Sequence, residues 1–237
     1  MKKNFFLLFF AAPVCISAQR VIDVDKSDVS PLKGHFYNIA GSAVSMAKYV
    51  RLVEGSPFFS EKWMKGTAFL PDGNQLENLL MRIDLVADEI QFIGESGKEM
   101  VATNPISEIL LSDSLTGEKY HFVHSSAFVA TKIPERGWYL LLVQGTAVLF
   151  KKFQKIVNET RPYSSATYQL TIVTTPAYFI FYNNSFSRIK KFSQLPEVLN
   201  KNNRELMQFI NSSKLTGKKE TDYVMLVNRY NELVVDQ

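Results

Sequence analysis

WMKGTAFLPDGNQLENLLMRIDLVADEIQFIGESGKEMVATNPISEILLSDSLTGEKYHFV, residues 63–123, is the stretch whose reading decides the fold. Leu70-Pro71-Asp72-Gly73-Asn74 is a turn signal: Pro presets φ, Gly accepts positive φ, and Asp and Asn bond their own backbone. Beyond it Met81, Ile83 and Leu85 alternate with Arg82 and Asp84, the period of a half-buried strand. Ala87-Asp88-Glu89 turns the chain, Ile90 and Phe92 share a face, and Glu95-Ser96-Gly97-Lys98 turns it again. Met100–Ala102, Ile109–Leu111 and Tyr120–Val123 complete the series. Parallel pairs need crossover helices, and no helix-length pattern intervenes, so the pairing is expected to be antiparallel.

Outward from the meander the β pattern continues. Val44–Val53 is read as a strand, or as one helical turn leading into a strand, closed by Gly55-Ser56-Pro57. The loop Ser125–Arg136 is the expected boundary between two β regions, 35–128 and 137–195. Trp138–Val143 is apolar on both faces, Gln144-Gly145-Thr146 is a hairpin turn, and Ala147–Phe150 runs back. Three more runs follow, around Tyr168–Ile172, Tyr178–Tyr182 and Phe186–Lys190, the last two joined by Asn183-Asn184. The period then changes. Leu206, Phe209 and Ile210, with Asn202 or Asn203 as N-cap, mark one helix; Tyr223, Leu226, Val227, Tyr230, Leu233 and Val234 mark another. The predicted fold is mainly β: an antiparallel meander, as a sandwich or open barrel, with a C-terminal two-helix hairpin over 200–235.

Composition agrees with a packed β protein: 46% hydrophobic, 21% charged, with 18 Phe and 10 Tyr among 237 residues. Lys2 and Lys3 precede the apolar run Phe5–Val14, and Ile16-Ser17-Ala18 ends in a small residue. This is a signal-peptide pattern, with cleavage expected after Ala18 and an extended polar leader over 19–34. Export to the periplasm or the periphery of the outer membrane follows. Cys15, the only cysteine, lies inside that signal and is preceded by Val14, a poor lipidation context. The mature chain would then carry neither disulfides nor a thiol nucleophile. Its charge falls from +4 to +2 with the loss of Lys2 and Lys3. No later run reaches the ~20 apolar residues of a membrane helix, so no transmembrane segment is expected in the mature chain.

The run Gly55–Phe59, then Trp63–Thr67, Met81–Asp84 and Asp88–Phe92, resembles a group of uncharacterised secreted proteins of Bacteroidota. So do Gly137–Lys152 and the ending Glu220–Tyr223 through Arg229–Leu233, so that the likeness covers about 50–235. Arg229 departs from that group, which more often has a second Tyr there. The resemblance implies an envelope protein and supplies no catalytic residues. Asp113-Ser114-Leu115 also resembles the O-glycan acceptor pattern of secreted proteins in that bacterial group, with Ser114 as acceptor.

Chemistry is sparse. His121 and His124 are three apart on a strand and point to opposite faces, so they do not chelate one ion. Ser125 and Ser126 follow His124, with Asp113 near in sequence, but no Gly-x-Ser-x-Gly elbow exists. Carboxylates beside turns, Asp84 and Asp88 among them, are usually solvated. Phosphate-binding glycine loops are absent. Neither a metal nor a cofactor is expected.

Charge is uneven. Residues 145–220 hold twelve Lys and Arg against four Glu, a difference of +8. Lys151, Lys152, Lys155, Arg188, Lys190 and Lys191 are the candidate contacts for an envelope protein, an acidic glycan or a lipid. Nucleic acid fits the charge but not the compartment. The plainer reading is a solvated basic face. Trp138, Leu140, Leu142, Tyr178, Ile180 and Tyr182 are the candidate lining of an apolar cavity, or simply core. The leading expectation is an exported, non-catalytic binding or structural protein. The alternatives are a periplasmic carrier of lipid or another hydrophobic ligand, and a hydrolase of unrecognised type.

Overall fold

A computed structural model describes residues 41–128, 135–163, 166–199 and 203–235. The signal, the leader, His35 and Asn202 lie outside the described residues. All those described fall in one compact unit, 39–237.

The meander forms as its turns dictate. Strands β1 (Gly41–Ala43), β2 (Leu52–Glu54), β3 (Met64–Phe69), β4 (Gln75–Asp84), β5 (Glu89–Ile93), β6 (Glu99–Ala102), β7 (Glu108–Ser112) and β8 (Lys119–His124) make up the first part. Then come β9 (Trp138–Val143), β10 (Val148–Thr160), β11 (Gln169–Tyr182) and β12 (Ser185–Ile189). All twelve belong to one sheet, ordered β1-β6-β5-β4-β3-β7-β8-β9-β10-β11-β12. Every neighbour on that path is antiparallel; β2 alone adds in parallel, beside Leu170 and Thr171 of β11. The sheet runs through the expected boundary without interruption, because Phe122, Val123 and His124 pair with Leu140, Tyr139 and Trp138.

Helices α1 (Leu195–Leu199), α2 (Asn203–Ser212) and α3 (Glu220–Val235) end the chain. The last two are the expected pair; α1 adds a third helix before them. Their apolar residues Leu199, Leu206, Leu226, Val227 and Tyr230 bury against Val143, Leu149, Ile180 and Tyr182 on one face of the sheet. On the opposite face a second cluster gathers Val123, Tyr139, Phe150, Phe179 and Phe186. Residues 149 and 150 thus serve two cores, as strand alternation requires.

Several local expectations change. Val44–Val53 takes the second of its two readings, a 3₁₀ turn at Met46–Tyr49 followed by the short β2. The runs at 168–172 and 178–182 are one strand, β11, which passes through Pro176. Near Pro176 neither β2 nor β12 flanks β11, so the missing N–H leaves a ladder on that side intact. Asp84 does not face water but is fully buried. It accepts the Tyr49 hydroxyl at 2.7 Å and the backbone N–H groups of Val86 and Ala87 at 3.0 and 2.8 Å. Burial, reinforced by Asp84, pushes the Tyr49 phenol well above its ordinary value. This carboxylate builds the β4–β5 turn, and Asp88 completes it at φ +60°.

Arg82, also expected on the solvent side, is stacked between Phe58 and Trp63, 4.1 and 4.2 Å from their ring centroids. That clamp, with Phe59 N–H to Ile83 C=O at 2.9 Å, holds the 57–63 segment on β4.

Candidate binding cleft

The β4–β5 turn reaches the end of β8, a strand three places from β4 in the sheet. Between them lies a cleft of about 380 Å³, walled by Asp88 and Ile90, by the β6–β7 connection 102–106, by His124 and Ser126, and by Arg136 and Trp138.

Each wall has a local cause. Ser125 is buried and clasps Gly137: its N–H donates to the Gly137 carbonyl at 2.9 Å, and its Oγ accepts the Gly137 N–H at 3.0 Å. Gly137 adopts φ +120°, a backbone state that favours glycine. This clasp fixes His124 and Ser126 on one side and Arg136 and Trp138 on the other. His124 also caps the single 3₁₀ turn Ser125–Ala127, its Nδ1 accepting the Ser126 N–H at 3.3 Å.

The same ring joins three chemical groups. Because Nδ1 accepts a backbone N–H, the proton of the neutral ring sits on Nε2. Nε2 then donates to Asp88 Oδ2, 3.2 Å away. Ser126 Oγ lies 2.7 Å from Nδ1 and donates to it. Arg136 Nε donates to the same Asp88 oxygen at 3.1 Å. Burial alone would raise the Asp88 carboxyl, but the hydrogen bonds from His124 and Arg136 and the charge of Arg136 oppose it, and the carboxyl lies below the usual carboxylate range. The His124 ring rests against Trp138, with centroids 4.9 Å apart.

Two residues that line this cleft each hold a buried polar atom with no partner among the described residues: the acceptor Asp88 Oδ1 and the donor Trp138 Nε1. Buried polar groups are nearly always paired, so each calls for a partner such as an ordered water or a ligand group. Arg136 supplies charge at the cleft, with 86% of its side chain exposed.

The sequence-predicted basic surface does not assemble. Lys151 and Lys155 share a face of β10 with Leu149, whereas Lys152 and Arg188 lie on the opposite face with Phe150. Lys151 pairs with Glu220 at 2.5 Å, and Arg188 and Lys152 share Glu135 at 3.1 and 3.5 Å. Lys152 also donates to the Arg136 carbonyl, and burial pushes its ammonium pKa down. Lys155 donates to the Phe58 carbonyl and the Thr174 hydroxyl at 2.8 and 3.0 Å. Glu135 lies outside the 145–220 window, which is why counting along the chain overstated the basic excess. Lys190 and Lys191 alone of the six are exposed and form no ion pair with a described residue.

The predicted cavity residues also separate. Leu142, Tyr178, Ile180 and Tyr182 pack against the helices, Tyr178 stacked on Tyr223 at 4.3 Å. Leu140 is buried beside Phe122 in the sheet. Trp138 of this set lines the cleft. Ser114 is exposed on the β7–β8 turn, which Asp113 fastens by accepting the Leu115 N–H at 2.8 Å. His121 has a separate partner, Glu108, at 2.7 Å.

His124 and Ser126 are near neighbours in the sequence, but Asp113, the acid near them in sequence, does not join them. Asp113 sits on a different turn, while Asp88 arrives from 36 residues away. The usable signal was Asp88 in a turn, since non-glycine residues at positive φ are mostly Asn and Asp. No helix of the described residues is long and apolar enough to cross a membrane. No protein-family profile, curated protein or solved structure matches the chain.

Proposed function

We propose that the protein is an exported cell-envelope binding protein, akin to the secreted Bacteroidota proteins it resembles, and that its cleft takes an acidic glycan. One observation carries this reading: Asp88 and Trp138, which line the same cleft, each hold a polar atom, the acceptor Oδ1 and the donor Nε1, that is buried with no partner among the described residues. A sugar hydroxyl both donates and accepts, and so answers both groups. The exposed guanidinium of Arg136 is the match for a carboxylate on such a ligand. An aliphatic lipid tail answers neither atom, which favours a glycan over the carrier reading.

The test is a titration of residues 19–237 with uronic-acid oligosaccharides. Trp63 and Trp138 are the two tryptophans, so W63F isolates the Trp138 fluorescence. Saturable quenching, weakened roughly tenfold in R136A, is expected for the loss of one charge-assisted contact. A flat signal at millimolar oligosaccharide would end the glycan reading.

A second reading, docking of an envelope protein, is favoured by the distal half of the β10–β11 hairpin. There Ile156, Val157 and Val173 are exposed between half and slightly under half of their surface.

A further inference from the structure

We propose that Ser126 is a nucleophile, activated by His124 and Asp88, and that the cleft cleaves a carboxylic ester borne by its ligand. The proposal rests on the cleft being a ligand site and adds a reaction to it.

The geometry carries the argument. Ser126 Oγ–H, His124 Nδ1, His124 Nε2–H and Asp88 Oδ2 form one continuous chain, with links of 2.7 and 3.2 Å. The Ser126 backbone N–H also faces Nδ1, at 3.3 Å, which sets that nitrogen as the acceptor and Nε2 as the one that carries the proton. This is the tautomer a general base needs, because the nitrogen facing the hydroxyl is the unprotonated one. The roles of the two ring nitrogens are exchanged relative to serine hydrolases of the usual arrangement, and the logic is unchanged. Ser126 is exposed at the cleft, whereas the base and acid behind it keep only 14% and 21% of their side-chain surface. Trp138 against the imidazole limits its rotation.

The step balances without a co-reactant other than water. Ser126 Oγ attacks the ester carbonyl while its proton passes to His124 Nδ1, and Asp88 steadies the imidazolium through Nε2. The oxyanion is stabilised by the Arg136 guanidinium, the cation of that wall. The C–O bond to the alcohol then breaks, and the alkoxide takes the proton from Nδ1. Water, deprotonated by the same nitrogen, hydrolyses the acyl-serine and releases the acid.

A serine that merely sits beside its own cap would not react. The test therefore treats residues 19–237 with a fluorophosphonate probe, which loses fluoride as a serine oxygen bonds to phosphorus, and reads the adducts by peptide mass spectrometry. Ser114 is the internal control, an exposed serine on a turn that hydrogen-bonds to no histidine among the described residues. Ser126 is expected to label about 100-fold faster than Ser114, the contribution of a positioned base. His124→Asn is the informative variant: its amide oxygen keeps the cap on the Ser126 N–H but accepts no proton, and labelling should fall to the Ser114 rate with the fold intact by circular dichroism. Equal labelling of Ser126 and Ser114, or full labelling in H124N, overturns the proposal. The oligosaccharide titration of S126A separates the two readings. Binding retained without labelling in wild type removes the nucleophile and leaves the glycan site. Labelling without binding keeps the nucleophile and removes the glycan.

Discussion

The side-chain amide of Asn231 holds both backbone groups of Ala147: Oδ1 accepts its N–H at 2.8 Å and Nδ2 donates to its carbonyl at 2.9 Å. Ala147 is fully buried at the β9–β10 hairpin, so no water can replace these bonds. Helix α3 is thereby fastened to the sheet at one residue. Gly145 makes room for it, since a Cβ there would collide with the Asn231 amide.

Asn231→Ala should therefore cost about 1–3 kcal/mol, the penalty for stranding buried backbone groups. At this chain length each kcal/mol lowers Tm by about 2–4 °C. Gly145→Ala should destabilise in the same direction by displacing the same amide. The double variant should cost less than the sum, because both changes remove one clamp. Thermal melts of the three variants check this; strict additivity would mean that Gly145 acts on something else.

Phe186 stands at the centre of the second core. Its ring lies 4.8–5.7 Å from those of Phe128, Tyr139, Phe150 and Phe179, which come from different parts of the chain. Phe186→Ala should cost about 3–5 kcal/mol, the range for deleting a buried aromatic. Phe186→Leu should cost much less. Urea unfolding measures both; equal losses would show that ring geometry rather than volume holds this core.

What was legible in the sequence was turn chemistry. Gly73, Gly97, Asn183 and Asn184 all take positive φ where the turns were read, and those turns fixed the hairpins between β3 and β4, β5 and β6, and β11 and β12. What was hidden was interruption within strands. Gly66 pairs with Leu79 but Ala68 with Leu76, so Thr67 faces an extra residue, and Asn78 sits there at φ +59°. This bulge switches the buried residues of β4 from even to odd numbers and disguises one strand of ten residues as an apolar run with a polar lead-in. The cleft was hidden for a different reason. His124 and Ser126 are two residues apart, but Asp88 meets them from the β4–β5 turn, 36 residues before His124, and such a meeting leaves no local pattern.

Lysine reactivity separates the exposed from the internally paired cations. Lys190 and Lys191 are exposed, whereas Lys151 keeps 18% of its side-chain surface and is held by Glu220. Brief treatment with an amine-acylating reagent should modify Lys190 and Lys191 first and Lys151 at least tenfold more slowly, an order-of-magnitude expectation from burial and pairing. Glu220→Gln should bring Lys151 forward without changing the other two. Comparable rates for all three in wild type would restore a basic face on β10. With Lys151 the slower of the three, docking of an acidic envelope partner is expected at Lys190 and Lys191, and protection of those two from acylation would reveal it.

The loop between α2 and α3 carries a pH dependence whose sign follows from Asp222. Its Oδ2 accepts the N–H groups of Thr216 and Gly217 at 3.1 and 2.8 Å and the Thr216 hydroxyl at 3.2 Å. Burial would raise this carboxyl, but those donors outweigh it, and its pKa lies below the usual carboxylate value. A group held more acidic in the fold than in the unfolded chain contributes stability above its unfolded pKa, near 4. That contribution is lost as pH falls through the lower folded value. Asp222→Asn keeps an acceptor oxygen but removes the charge, so it should be less stable than wild type at pH 7, by about 1 kcal/mol as for a lost cap. The gap should hold down to about pH 4 and close below it. Melts of both proteins between pH 7 and 3 decide the point: a gap independent of pH would assign the loss to geometry alone, and a gap that widens in acid would reverse the sign argued here.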